Sequence, residues 1–111
     1  MINKIVMLSS QDHLRFIYEH EILFCKSDDC YTHIMLISCE ELLISKSLAK
    51  FSKELNPEKF VRVNQSYLVN IHYIRSIDKK KKLLHLADKS EIHFTSSLRD
   101  LLIRLGQNGT G

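Results

Sequence analysis

The chain has 111 residues, enough for one domain whose hydrophobic core needs no metal or disulfide. Hydrophobic residues make up 44% and charged residues 26% of the sequence, as in ordinary soluble globular proteins, and the apolar runs are too short to span a membrane. The formal net charge is +3, but residues 1–55 hold six Lys/Arg against eight Asp/Glu whereas residues 56–111 hold ten against five, an asymmetry that hints at nucleic acid or an acidic surface as partner.

The first half of the chain is typical of short strands. Alternating or compact apolar segments predict them at residues 4–8, 14–18, 22–25, 31–39 and 42–46. The last two are expected to form a hairpin around Glu40-Glu41. The N-terminal eight residues carry a charge but no apolar region long enough for a signal peptide, so we expect a cytoplasmic location.

A short helix and a polar corner follow. Leu48, Phe51 and Leu55 recur at helical spacing after Ser47, which predicts a two-turn helix capped by that serine and stopped at Asn56-Pro57. The segment Phe60–Asn70 then begins as a strand and is interrupted by the polar trio Asn64-Gln65-Ser66. We expect an exposed corner there, with Ser66 as the N-cap of one helical turn over residues 67–69.

The remaining elements predict one mostly β domain over residues 1–105. Strands are expected at residues 73–77, 83–87 and 91–95, followed by a last helix capped by Ser96 or Ser97. Residues 106–111 lack apolar content and are expected to be a disordered tail or a cloning remnant. With eight to ten short strands, two or three short helices and no crossover helices, the fold class is mostly antiparallel β.

Enzymatic chemistry is not indicated by any motif. The three glycines all lie in the tail, at Gly106, Gly109 and Gly111, so no glycine-rich loop can cradle a phosphate. The six histidines lack the H-E-x-x-H spacing, and no serine lies in a G-x-S-x-G elbow. We therefore predict that the protein is not an enzyme and carries no cofactor.

The three cysteines leave two minor alternatives open. Cys25, Cys30 and Cys39 include no C-x-x-C pair, so no disulfide framework is indicated. A zinc site could be drawn from them together with His33, but the spacing matches no zinc signature. Redox sensing by Cys25 or Cys30 is a second alternative. Free cysteine packs readily as a small hydrophobe, and we favour that structural role and predict no metal.

Basic residues of the second half could bind an anion. Lys79–Lys82 are four like charges in a predicted turn, where simple solvation is an equally good explanation. Several further cations could contact phosphate: Lys46, Lys50, Lys59, Arg62, Arg75, Arg99 and Arg104.

Five sequence segments together resemble the LytTR-type DNA-binding domain, the output domain of many bacterial response regulators. They are E-I-L-F at 21–24, Tyr31-Thr32, S-L-A-K-F followed by L-N-P-E-K-F at 47–60, F-V-R-V-N-Q-S-Y-L-V-N at 60–70, and I-H-F-T-S-S at 92–97. The resemblance runs from about Lys4 to Leu105. It implies an elongated, mostly antiparallel fold of small sheets in line with short helices, whose loops enter successive major grooves of double-stranded DNA to regulate transcription.

The resemblance also implies a set of contact residues. Those expected to contact bases are Thr32, His33, Asn64, Gln65 and Arg99. Those expected to contact phosphates are Tyr31, Lys46, Ser47, Lys50, Arg62 and Ser97. An amide such as that of Gln65 suits adenine and a guanidinium such as that of Arg99 suits guanine. A homodimer on a repeated site is the expected assembly.

The sequence departs from the family pattern at the corner. Asn64-Gln65 stand where members often carry His followed by Arg or Lys, so one cation is missing, and Cys30 stands where Asn is common. This absence and the acidic Asp28-Asp29 motivate an alternative, a β-rich protein-interaction or antagonist module with weak DNA contact. The 111 residues contain no receiver domain, and the chain is expected to be a stand-alone regulator or the output part of a longer one.

Overall fold

Ten strands and two short helices build the fold in a computed structural model that describes residues 4–106. The strands are β1 Ile5–Ser9, β2 Leu14–Tyr18, β3 Ile22–Asp28, β4 Tyr31–Leu36, β5 Glu41–Ile44, β6 Phe60–Arg62, β7 Tyr67–Asn70, β8 Ile74–Asp78, β9 Leu83–Leu86 and β10 Glu91–His93. The helices are α1 Leu48–Ser52 and α2 Leu98–Arg104, and 3₁₀ turns span Glu19–Glu21 and Ile71–Tyr73. The described part has extents of 49 × 33 × 23 Å.

The strands form three antiparallel sheets. A five-stranded sheet with the order β5-β4-β3-β7-β6 lies beside the two-stranded sheet β1-β2 and the three-stranded sheet β10-β9-β8. All the strand pairs are antiparallel, as small hairpin-connected sheets usually are. The predicted fold class, mostly β with small antiparallel sheets and short helices, is therefore confirmed.

The core has two parts that share the five-stranded sheet. One cluster joins Cys25, Leu68 and Phe60 of that sheet to residues of β1, β2 and α1, such as Ile17 and Phe51. The other cluster joins further residues of the sheet to β9, β10 and α2: Leu23, Val61, Val69, Leu84, Ile92, Phe94 and Leu101. Because successive strand residues point to opposite faces, β6 and β7 supply both clusters and are buried on both sides.

Two buried polar side chains pin the end of the sheet where β3 begins. Asn70 Nδ2 donates to the Ile22 carbonyl oxygen at 2.8 Å, and Asn70 Oδ1 accepts from the His72 N–H at 3.0 Å. Glu19 is 1% exposed and accepts from the Asn56 N–H at 2.8 Å. The Asn70–Ile22 bond joins residues 48 apart in sequence and the Glu19–Asn56 bond joins residues 37 apart, so these two bonds fix how the second half of the chain meets the first.

The predicted helical turn at residues 67–69 is wrong. Tyr67–Asn70 is strand β7, which pairs with both β3 and β6. Ser66 is therefore not an N-cap, and a 3₁₀ turn capped by Asn70 occurs at Ile71–Tyr73 instead. The predicted strand at 31–39 is also too long, because β4 ends at Leu36 and Cys39 adopts a left-handed φ of 74° in the following turn.

The helix boundaries follow the predicted caps. Ser47 Oγ accepts from the Lys50 N–H and Ser97 Oγ accepts from the Asp100 N–H, at 3.2 and 3.1 Å. Gly106, with a φ of 81°, ends α2. The rest of the predicted tail lies outside the described residues. Within residues 4–106, the helices are all too short to cross a bilayer.

Candidate nucleic-acid interface

Polar loops from three places in the sequence meet at one edge of the five-stranded sheet. Asp28 pairs with Tyr31, Thr32 with Ile44, and Arg62 with Leu68. Because antiparallel pairing brings the end of one strand beside the start of the next, three loops lie on the same side. We call this side the polar edge; it comprises the β3–β4 turn at residues 28–31, the β5–α1 junction at 45–47 and the β6–β7 corner at 63–66.

The three-stranded sheet adds a fourth loop to the polar edge. The Thr95 N–H donates to the Val63 carbonyl oxygen at 3.0 Å, and Asn64 Nδ2 donates to the His93 carbonyl oxygen at 2.6 Å. The β10–α2 junction therefore lies against the corner. The backbone of Lys82 accepts from the Phe94 N–H at 3.1 Å, which also places the lysine-rich β8–β9 turn beside this junction.

Asn64 uses its side-chain amide to build the corner. Its Oδ1 accepts from the N–H groups of Ser66 and Tyr67 at 2.7 and 2.9 Å, while its Nδ2 is held by His93. A short polar side chain that bonds the backbone two and three residues ahead makes a tight turn without glycine. Asn64 was predicted to contact a base, but this geometry commits most of its hydrogen-bonding capacity to the fold.

Arg62 stabilises the same corner by hydrogen bonds to its backbone. Its Nε donates to the Asn64 carbonyl oxygen at 2.9 Å and its Nη2 donates to the Gln65 carbonyl oxygen at 2.5 Å. Arg104 of α2 donates in turn to the Arg62 carbonyl oxygen. The guanidinium, which was predicted to contact phosphate, therefore donates two hydrogen bonds to the corner backbone. Its other N–H donors remain available to solvent or a ligand.

Gln65 stands at the tip of this braced corner. It is exposed, and its side-chain amide makes no hydrogen bond to any residue that the structure describes. A cleft of about 410 Å³ beside it is lined by the corner, Thr95, Ser96 and Arg104. The corner thus presents one free amide on a backbone that six neighbouring hydrogen bonds hold in place.

The β3–β4 turn supplies Tyr31 and His33 but not Thr32. Tyr31 is 43% exposed at the polar edge, whereas Thr32 is fully buried and donates through Oγ1 to the Lys46 carbonyl oxygen at 2.7 Å. The prediction that Thr32 contacts a base is therefore wrong: its side chain faces the interior and fixes the β5–α1 junction. His33 is half-buried, with Nε2 2.9 Å from Asp28 Oδ2.

The residues predicted to contact phosphate differ in whether their side chains already have a partner within the chain. Lys46 pairs with the Glu54 carboxylate, which offsets its charge, whereas Lys50 and Arg99 are exposed and make no ion pair within residues 4–106. Ser47 and Ser97 use their oxygens as helix caps. A hydroxyl that accepts a backbone N–H still has its own proton to donate, so both serines can reach an anion.

Lys26 was not among the contact residues predicted from the sequence. Strand β3 was predicted to end at Cys25, but it continues to Asp28, and Lys26 pairs with His33 on one side and Tyr67 on the other. Its exposed ammonium lies 5.8 Å from the centre of the Tyr67 ring. The sequence after Cys25 could have indicated the longer strand, because side chains alternate between the two faces of a strand and Lys26 and Asp28 would then lie on the same face.

The cysteines do not converge. Cys25 is buried in the five-stranded sheet, while Cys30 and Cys39 are exposed at opposite ends of β4, roughly 20 Å apart at 3.3 Å per residue. Among residues 4–106, no three His, Cys, Asp or Glu side chains are grouped so that they could hold a metal. Burial raises the pKa of the Cys25 thiol to about 12, which suppresses the reactive thiolate at neutral pH.

We expect two of the three thiols to react in the folded protein. Excess aromatic disulfide reagent at pH 8 should titrate Cys30 and Cys39 within minutes, and the third thiol should react only after denaturant is added. The Cys25→Ser variant should give the same native count of two. A native count of three in the wild-type protein would contradict the burial of Cys25.

Comparison with known proteins identifies the architecture. The sequence profile of the LytTr DNA-binding domain matches residues 12–106. A similar solved structure is the LytTr DNA-binding domain of a Bacillus cereus protein described as a methyl-accepting/DNA response regulator. It shares 21% identity with the chain over 92% of this chain and 96% of that one, with a TM-score of 0.74. No curated protein matches the chain.

Proposed function

The chain belongs to the LytTR family of DNA-binding domains, and on that premise we propose that it binds double-stranded DNA sequence-specifically to regulate bacterial transcription. The binding surface is the polar edge, and the corner at residues 63–66 enters a major groove. In this proposal the chain works in the cytoplasm as the output domain of a response regulator or as a stand-alone regulator. It binds a repeated site as two copies.

The main support for this proposal is that polar segments distant in sequence lie together at the polar edge. Residues 28–31, 45–47, 63–66 and 95–97 are far apart in sequence, yet backbone hydrogen bonds join them into one surface. Exposed cations surround this surface, including Lys26, Lys50 and Arg99. Free polar side chains flanked by cations are what a protein needs to read base edges while it holds the backbone.

The contacts divide into supports, readers and phosphate anchors. Arg62 and Asn64 support the corner, because their side chains are bonded to its backbone. The readers of base edges are His33, Gln65 and Arg99. The anchors on phosphate are Lys26, Tyr31, Ser47, Lys50, Ser97 and Arg104, with smaller contributions from Lys46 and Arg62.

Selection of bound sequences from a pool of random duplexes tests the function without a known target. We expect enrichment of one motif that occurs twice at a fixed spacing near a multiple of the helical repeat, about 10–10.5 base pairs. A pool that stays random after repeated rounds would contradict sequence-specific binding. The alternative, a protein-interaction module of the same fold, would then be favoured by binding to a full-length regulator in the absence of DNA.

Replacing Gln65 with alanine should reduce discrimination more than it reduces affinity. A bidentate amide contact discriminates by about 1–3 kcal/mol, so the preference for the selected base at one position should fall roughly fivefold to 150-fold. Binding to the selected duplex and to single-base variants should be measured by fluorescence anisotropy at fixed salt. Gln11→Ala, at an exposed glutamine in the β1–β2 turn, is the matched control.

The outcome for Gln65→Ala that would contradict its assignment is a uniform loss of affinity with unchanged base preference. Neutralising Lys79–Lys82 by glutamine substitutions should leave base preference unchanged, because lysines that contact phosphate do not read sequence. All duplexes should then weaken by the same factor.

A further inference from the structure

The two-stranded sheet exposes an uninterrupted apolar face. Its outward side chains form the cross-strand pairs Ile5–Tyr18, Met7–Phe16 and Ser9–Leu14. The five apolar members are between 44% and 62% exposed: Ile5, Met7, Leu14, Phe16 and Tyr18. We call these five side chains the hairpin face. Exposed apolar residues are ordinary when scattered, but here they are contiguous in register, and such patches mark interaction sites.

Packing within the domain does not explain why the hairpin face is apolar. The opposite side of the same two strands places Val6, Leu8 and Ile17 in the core, where they are 9% exposed or less. In a strand with one solvated face, the outward positions are normally polar. Two cations of this region, Lys4 and Arg15, bond elsewhere: Lys4 donates to the Glu54 carbonyl oxygen and Arg15 pairs with Glu40.

We propose that the hairpin face is the docking surface for a second copy of this chain. The five side chains carry no charge, so the face offers nothing to a DNA backbone or to a charged peptide. It suits an equally uncharged surface, and the hairpin face of another copy is one. A twofold axis would place the same five residues on both sides of the contact, which makes the contact self-complementary.

The area of the face agrees with a weak dimer. Large side chains of this kind expose about 150–250 Å² when free, so five of them at roughly half exposure present about 500 Å² per copy. Two copies would bury about 1,000 Å² in total, at the lower limit for a specific interface. Such a contact associates reversibly and is strengthened when both copies are held on one DNA molecule.

The hairpin face shares no residue with the polar edge, so two docked copies each keep their own reading surface. Cooperative binding to a repeated site would follow, and this part of the inference rests on the proposed function. Self-association in the absence of DNA does not rest on it, and it can be tested separately.

Sedimentation of the chain over a concentration series tests the contact directly. We expect a reversible monomer–dimer equilibrium for the wild-type protein. Phe16→Gln, which removes the most exposed aromatic ring of the face, should raise the dimer dissociation constant about tenfold or more. The matched control is Ile103→Gln on α2, where the side chain is 58% exposed outside the face, and it should change the constant less than about twofold.

Two results would overturn the proposal. One is a wild-type protein that stays monomeric up to about 1 mM, a concentration at which even a weak contact is half formed. The other is an equal change of the dimer dissociation constant in Phe16→Gln and Ile103→Gln. On a duplex with two sites, Phe16→Gln should lose cooperativity while its affinity for a single site is unchanged. A protein that dimerises through this face but binds no DNA would support this inference and count against the proposed function only.

Discussion

Replacing Asn64 with alanine should cost the protein at least about tenfold in DNA affinity and about 1.5–4.5 kcal/mol in free energy of unfolding. The side chain makes three hydrogen bonds, to the N–H groups of Ser66 and Tyr67 and to the His93 carbonyl oxygen. At about 0.5–1.5 kcal/mol each, these bonds give the predicted loss of stability. The corner would then lose both its turn and its tie to β10, and Gln65 would no longer be held for binding.

Asn56→Ala is the control for this variant. Asn56 also accepts a backbone N–H two residues ahead, from Glu58 at 2.9 Å, but it lies outside the polar edge. Its loss should change DNA affinity by less than about twofold, since surface substitutions elsewhere have small effects. Chemical denaturation and anisotropy titration give both quantities. If Asn64→Ala and Asn56→Ala bound DNA equally well, the corner could not be the reading element.

Replacing Asn70 with alanine should lower the free energy of unfolding by about 3 kcal/mol and the Tm by about 10–20 °C. Asn70 is 5% exposed, and its amide bonds the Ile22 carbonyl oxygen and the His72 N–H. Without it, the carbonyl oxygen of the fully buried Ile22 loses this partner away from water, and the His72 N–H loses its cap. An unpaired buried polar group costs more than a lost hydrogen bond in solvent.

The same Asn56→Ala control calibrates the stability measurement. Its single side-chain bond is partly exposed, so we expect a loss of about 1 kcal/mol or less. Equilibrium urea unfolding, followed by circular dichroism, compares the three proteins. A change below about 0.5 kcal/mol for Asn70→Ala would contradict the view that this amide joins β7 to the start of β3.

Local patterns predicted most elements but failed where a strand is buried on both sides. The caps at Ser47 and Ser97 were predictable because each serine bonds an N–H three residues ahead. Residues 67–69 are apolar without alternation, because β7 packs against both core clusters. A run of three apolar residues cannot distinguish a two-sided strand from a helical turn.

The candidate site shows a similar division. The sequence predicted which polar segments form the site, and the structure brings residues 31–33, 45–47, 63–66 and 95–97 to one edge. Alternation with Ile34 and Leu36 already put Thr32 on the inward face of its strand. The sequence could not indicate that Asn64 is occupied by His93, because that contact depends on a residue 29 positions away. Long-range hydrogen bonds therefore separate the supporting residues from those left free to bind.

Salt-dependent binding to the selected duplex and to a scrambled duplex tests the central claim most directly. Between 50 and 200 mM salt, the affinity for the selected duplex should fall by about a hundredfold or more, because several lysines and arginines displace counterions. At each salt concentration it should exceed the affinity for scrambled DNA, by about a thousandfold for typical specific binding. Equal affinity for the two duplexes, or an affinity that does not change with salt, would contradict sequence-specific DNA binding by the polar edge.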